Sequence, residues 1–276
     1  MLLGRFNLHG KPPLSDPSIS SCRVKRRGYL FSDIGLTSGT HRLHDTMAYT
    51  LYIGNKRYSS WSMRPWVLLK ALDIPFDEKL QLFKPGQRQP DFLAFSPSGK
   101  VPCLYDAELK HLAVWDSLAI CEYLAEKHPA AWPRDPVARA FARSAASEMH
   151  SSFAAIRDEC SMNVGLRIEL GEPSDGLRRD LERLTALFGE GIQRFGGPFL
   201  AGSSFTVADA FYAPIASRVK TFGIRLDGPA GEYLDRLYEH PAVQAWIQEG
   251  IAEAAREPGH EEDCVRGRRI LQDLCK

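Results

Sequence analysis

The sequence predicts an α+β N-terminal domain followed by an all-α C-terminal domain. Three observations carry that expectation. Between Tyr49 and Lys127, short apolar runs of strand character alternate with helical runs. Beyond Trp132 the strand signals fade, and apolar residues recur at spacings of three and four. The stretch His128–Pro136 (HPAAWPRDP) separates the two regimes with three prolines, as a domain boundary does.

Residues 1–46 carry few periodic apolar positions and hold seven Lys/Arg against three Asp/Glu, with Arg23, Lys25, Arg26 and Arg27 in one cluster. They read as a disordered extension ahead of Met47, where a compact pattern begins. Tyr49–Ile53 (YTLYI) reads as a buried strand. Arg64–Leu72 reads as a helix with Pro65 in its first turn, where a missing N–H costs nothing. Phe76–Leu82 is a second strand, stopped by Pro85–Gly86, and a short helical piece falls near Asp91–Phe95. Ser98–Gly99 marks a turn before a third strand, Val101–Tyr105. His111–Val114 pairs back as a fourth, and Ser117–Lys127 is helical up to His128–Pro129.

In the second half, Phe141, Ala145, Met149, Phe153, Ile156 and Cys160 line one face of a single long helix from Pro136. Leu177, Leu181, Leu184, Leu187, Phe188 and Ile192 repeat the pattern over Ser174–Phe195. Thr206 and Asp209 form a T-x-x-D helix-start box with Phe205 as its staple. A last helical stretch, Tyr233–Ala254, is interrupted near His240–Pro241, and residues 256–276 read as a charged, weakly periodic tail of helix or coil.

Composition narrows the function classes. The 276 residues hold 35 Lys/Arg and 34 Asp/Glu, a net charge of +1, which lacks the basic excess of a nucleic-acid binder. No run reaches the ~18 apolar residues of a membrane span. Six scattered cysteines without a CxxC pair suggest reduced thiols, with Cys103 and Cys121 filling the core, rather than a disulfide framework or a zinc site. No apolar signal core is visible near the start. A cytoplasmic protein is the reading.

Three segments carry chemistry. Tyr58-Ser-Ser-Trp-Ser-Met-Arg64-Pro65 lies between the first strand and the first helix, where hydroxyls and free N–H groups meet a positive helix end suited to an anion or thiolate. Taken alone, these serines read as caps. Gly99–Lys100–Val101–Pro102 enters the third strand, and Trp115–Asp116–Ser117 stands at a second strand-to-helix junction, where Asp116 and Ser117 also read as caps.

In this order, ahead of an all-helical half, the segments from Met47 to about Ala254 resemble the cytosolic glutathione S-transferases, roughly three quarters of the chain. SSWSMR is similar to the S-S-C-x-x-R region of the serine-type enzymes, the zeta class more than tau. Gly99–Lys100–Val101–Pro102 resembles the family's cis-proline segment, Asp116–Ser117 its Glu-Ser pair, and FTVADAF its helix-capping box.

The resemblance implies a thioredoxin-like domain over 47–128, an all-α substrate domain over 136–255, glutathione as co-substrate, no metal, and a homodimer. It implies Ser59 as the hydroxyl facing the glutathione sulfur, with Ser60 beside it. Val101, before Pro102, would pair with the cysteinyl backbone, Lys100 would meet the glycyl carboxylate, and Ser117 with Asp116 would hold the γ-glutamyl end. Met149, His150 and Phe153 would line the electrophile pocket, and Arg64 reads as a structural ion-pair or helix-end residue.

A free thiol ionises near ~8.5, and a charge-assisted hydrogen bond of about 1.5–3 kcal/mol lowers that by one to two units. The thiolate would attack a small hydrophobic electrophile. Two alternatives remain. One is a zeta-type isomerase or dehalogenase, against which Trp61 and Thr221 stand where that class has cysteine and arginine, with Arg218 nearly a turn away. The other is a non-catalytic binding or interaction module on the same fold.

Overall fold

A computed structural model describes residues 48–86, 88–110 and 112–275. The extension expected over 1–46, and Met47, where the compact pattern is expected to begin, lie outside the described residues.

The first layer is a four-stranded sheet. β1 (Tyr49–Gly54) runs into α1 (Ser60–Ala71) and returns as β2 (Phe76–Gln81), parallel to β1. A single 3₁₀ turn follows at Pro90–Ala94. β3 (Cys103–Asp106) pairs antiparallel with β1, and β4 (Ala113–Trp115) antiparallel with β3, giving the order β2-β1-β3-β4. α2 (Ser117–Lys127) closes the unit. Leu51 stands opposite Leu104 in the register, and both are fully buried under α1.

α1 starts four residues before the position expected, because the Ser59 side chain caps it by accepting the Ser62 N–H. Pro65 therefore sits in the second turn, not the first. Every residue from Ser62 to Leu69 is buried, so this helix is enclosed on all sides rather than amphipathic.

The helical half comprises α3 (Pro136–Ser151), α4 (Ala154–Glu159), α5 (Asp175–Phe195), α6 (Val207–Phe222), α7 (Gly228–Glu239) and α8 (Pro241–Ala252), with β5 (Leu166–Ile168) between α4 and α5. The single long helix expected from Pro136 to Cys160 is two: Phe153 takes a left-handed conformation at φ 59°, and the Arg157 guanidinium turns back onto the Met149 and His150 carbonyls at the end of α3. The expected tail folds. α9 (Pro258–Val265) leads to β6 (Ile270–Asp273), which pairs antiparallel with β5. Strand character too short to show periodicity concealed this ribbon.

α6 is the axis of the half, buried at all but one of its sixteen residues. Asp209 fastens its start. One carboxylate oxygen accepts the Leu200 N–H (2.9 Å) and the Tyr233 hydroxyl (3.1 Å), and the other accepts the N–H (2.8 Å) and hydroxyl (3.1 Å) of Thr206. Burial pushes this carboxyl up to about 6, while the four donors pull it down. Asp209→Ala strands those donors and should cost about 3 kcal/mol at neutral pH. The folded protein binds the Asp209 proton more tightly than the unfolded chain does between its ordinary value, 3.8, and about 6. The stability gap between wild type and variant should therefore narrow as pH rises through that window. Urea denaturation of both proteins from pH 4.5 to 7.5 checks the size and the sign.

Candidate active site at the start of the first helix

The turn between β1 and α1 is held from the far end of the chain. Arg57, 1% exposed, donates from its guanidinium to the carbonyls of Gly250 (3.3 Å), Ile251 (3.4 Å), Glu253 (2.5 Å) and Ala255 (3.4 Å), the otherwise unpaired acceptors at the end of α8. The Glu253 carboxylate answers by accepting the Lys56 N–H at 2.6 Å. Gly250 permits this approach, since a Cβ there would stand 3.0 Å from the Lys56 carbonyl carbon and 3.1 Å from the Arg57 nitrogen. The Tyr58 hydroxyl donates to Glu261 (2.6 Å) and accepts the Glu257 N–H (3.2 Å). Residues 256–261 thus belong to the frame of the site, although in the sequence they read only as a charged tail.

Ser59 and Ser60 stand side by side at the end of that turn. Ser59 is buried, and its hydroxyl lies 2.8 Å from Ser62 Oγ, to which it donates. Ser62 Oγ in turn accepts the Gly54 N–H at 3.1 Å. Ser60 is half-buried and accepts from Arg218 at 3.5 Å. Neither serine lines the neighbouring cavity of about 390 Å³, whose wall on this side is Trp61.

That cavity gathers Lys100, Val101, Pro102, Asp116, Ser117 and His150 from three separate segments. Lys100 is exposed, and the Val101–Pro102 bond is cis. Asp116, at φ 74°, caps α2 through the Leu118 and Ala119 N–H groups at 2.8 and 3.3 Å. The cap leaves the N–H of Ser117, at the first helical position, without an intrahelical acceptor, and Ser117 lines the cavity. The other Asp116 oxygen lies 3.4 Å from His150 Nε2. Burial, with Arg64 and Arg157 nearby, holds the His150 imidazole below its ordinary range against the pull of Asp116.

The other two expected pocket residues are elsewhere. Met149 is fully buried in the core, and Phe153 packs edge-on to Tyr212 at 6.5 Å. Arg64 is not an ion-pair residue: among the described residues no carboxylate lies within salt-bridge distance of it, and its guanidinium rests 4.1 Å from the Trp61 ring and 4.7 Å from Phe211. Cys103 and Cys121 are fully buried as expected, and burial raises both thiols, Cys103 to about 11. Among the described residues there is no cluster of metal-ligating side chains, and no helix is long and apolar enough to cross a membrane.

The fold and this cavity define a two-part protein with a sheet-based ligand site and a helical half. Residues 58–127 match the family model for the glutathione S-transferase N-terminal domain, and residues 140–249 that for the glutathione S-transferase C-terminal domain. A zeta-class glutathione S-transferase of Euphorbia esula is 30% identical over 167 residues, 59% of this chain and 72% of that protein. Glutathione S-transferase D7 of Drosophila melanogaster is 27% identical over 218 residues, 75% and 87% of the two chains. A Burkholderia glutathione transferase homolog, solved with bound glutathione, shares the fold at a TM-score of 0.54 and 22% identity, covering 73% of this chain and 97% of that one. The chain belongs to the glutathione S-transferase family, whose enzymes use glutathione as co-substrate.

Arg57→Leu strips four carbonyls of their donor and unpins the turn that presents Ser59. Stability should fall by about 2–4 kcal/mol. Hydrogen exchange should show lost protection at the first amides of α1 before the sheet is affected, and mass spectrometry of that peptide reads it.

Proposed function

We propose that the cavity binds glutathione and that the start of α1 stabilises its thiolate for attack on a small hydrophobic electrophile. The observation that carries this reading is convergence. Lys100, Val101, Pro102, Asp116 and Ser117, from two separate segments, wall one cavity beside the Ser59–Ser60 helix start. In this reading the exposed Lys100 ammonium meets the glycyl carboxylate, and the free Ser117 N–H with its helix end holds the γ-glutamyl carboxylate.

Ser59 is the proposed thiolate donor. A hydroxyl proton is a rotor, so the Ser59 and Ser62 hydroxyls, 2.8 Å apart, can exchange roles. When Ser62 donates to Ser59, the Ser59 proton is free for the sulfur. The Ser62 oxygen still accepts the Gly54 N–H, which keeps the pair fixed. The hydroxyl donates to sulfur and need not ionise. The thiolate forms the new S–C bond as the leaving group departs with its electron pair.

Calorimetry should show glutathione binding. Ser59→Ala should lower conjugation of 1-chloro-2,4-dinitrobenzene about 10- to 100-fold, the loss of one charge-assisted hydrogen bond. Its pH–rate profile should move upward, because more base is then needed to form the thiolate. Glutathione affinity should change less, and Ser60→Ala should have the smaller effect. If Ser60→Ala abolishes conjugation while Ser59→Ala leaves rate and profile intact, the other hydroxyl is the donor. If neither variant matters, hydroxyl activation is wrong.

A further inference from the structure

Among the described residues the helical half contributes only His150 to the lining of the cavity, and on the side of the helix start the wall is the Trp61 indole. The cavity, about 390 Å³, is at the low end of the roughly 300–1,000 Å³ that hold one drug-sized ligand. A tripeptide lying along Lys100, Val101 and Ser117 takes up most of that space. A group carried on its sulfur must then find room beside Trp61.

That ring is pinned. The Arg64 guanidinium lies 4.1 Å from its centre and the Arg157 guanidinium 4.8 Å, and the His150 ring meets it edge-on at 5.3 Å. The negative face of an indole attracts each cation. The residues that grip the ring are fixed in turn. Arg64 is 2% exposed, and its Nη1 donates to Ser117 Oγ at 3.5 Å. Arg157 donates to the Met149 and His150 carbonyls, and His150 Nε2 lies 3.4 Å from the Asp116 carboxylate. Ser60, the neighbour of Trp61, accepts from the buried Arg218 at 3.5 Å. Side chains of α1, α2, α3, α4 and α6 thus hold the indole or its immediate surroundings. Swinging it aside would leave two guanidiniums without their aromatic face.

We propose that Trp61 sets the size of the acceptor. With the indole in place the site takes an electrophile of one ring or smaller, and a second fused ring meets the indole. Trp61 is then a specificity-determining residue that acts by exclusion, because a packed wall that cannot yield rejects a group one ring too large. The inference rests on the glutathione reading, which puts the sulfur at the start of α1, where Trp61 is the second residue.

The test is calorimetry with S-benzylglutathione against S-(1-naphthylmethyl)glutathione, two thioethers that differ by one fused ring and need no reaction to bind. Beside a yielding wall the larger apolar group binds more tightly. Wild type should show the reverse, with the benzyl compound bound at least about 10-fold more tightly. Trp61→Ala should swing the ratio of the two affinities about 10- to 100-fold toward the naphthylmethyl compound. Trp61→Phe, which keeps a ring against the guanidiniums, should swing it part of the way. The ratio is the readout because a merely structural role for Trp61 would weaken both ligands together and leave the ratio where it was.

A naphthylmethyl preference in the wild type overturns the proposal, and so does a ratio that neither variant moves. Glutathione binding without size discrimination removes the size limit and leaves the glutathione reading standing. If the wild type binds neither thioether nor glutathione itself, the glutathione reading fails and the size limit goes with it.

Discussion

The arrangement depends on one buried guanidinium. Arg57 bridges the exit of β1 and the end of α8, so the turn that presents Ser59 is fixed to a point almost two hundred residues further along the chain. A helix end leaves four carbonyls without partners, and an arginine fork can meet several of them at once. Because α1 is enclosed by the sheet below and the helical half above, its first turn has no freedom to adjust by itself. The bridge therefore sets where the helix's positive end lies relative to the cavity wall. α9 extends the same clamp through Tyr58, with His260 stacked on that ring at 5.0 Å.

Much of the N-terminal half was legible in the sequence, because its signals are local. A strand is six residues of apolar character, a cap is one side chain reaching two or three residues ahead, and the segments around Ser59, Lys100 and Ser117 each fall at such a junction. Ser117–Lys127 was readable to the residue, since Asp116 starts the helix and Pro129 ends it. The break at Phe153 was not readable. Its apolar spacing continues the stripe of α3 in phase, and the interruption is made by Arg157 four residues later. The same applies to Met149 and Phe153 in the site. Spacing identified the buried face of the helix, but not which part of that face borders a cavity and which part is core.

The C-terminal tail and the arginine cluster escaped for a related reason. The meaning of Glu257, Glu261 and Arg218 lies in partners from fifty to two hundred residues away, and no window of sequence contains both halves of such a contact. A weak signal existed for Arg218, which follows the largely apolar run FYAPIAS. A charge on a fully enclosed helix implies a partner, though it does not say which.

The two halves of the site thus follow different physical logic. The sheet side offers backbone groups and a helix end at fixed spacing, which suits a peptide-like ligand recognised mostly through its main chain. The helical side offers buried guanidinium groups that donate to backbone carbonyls, Arg218 to Cys160 and Arg157 to Met149 and His150. Trp61 joins them, with one ring touching Arg64, Arg157 and His150 and also lining the cavity. Each guanidinium gains attraction from the negative face of that ring, which offsets part of the cost of burying it.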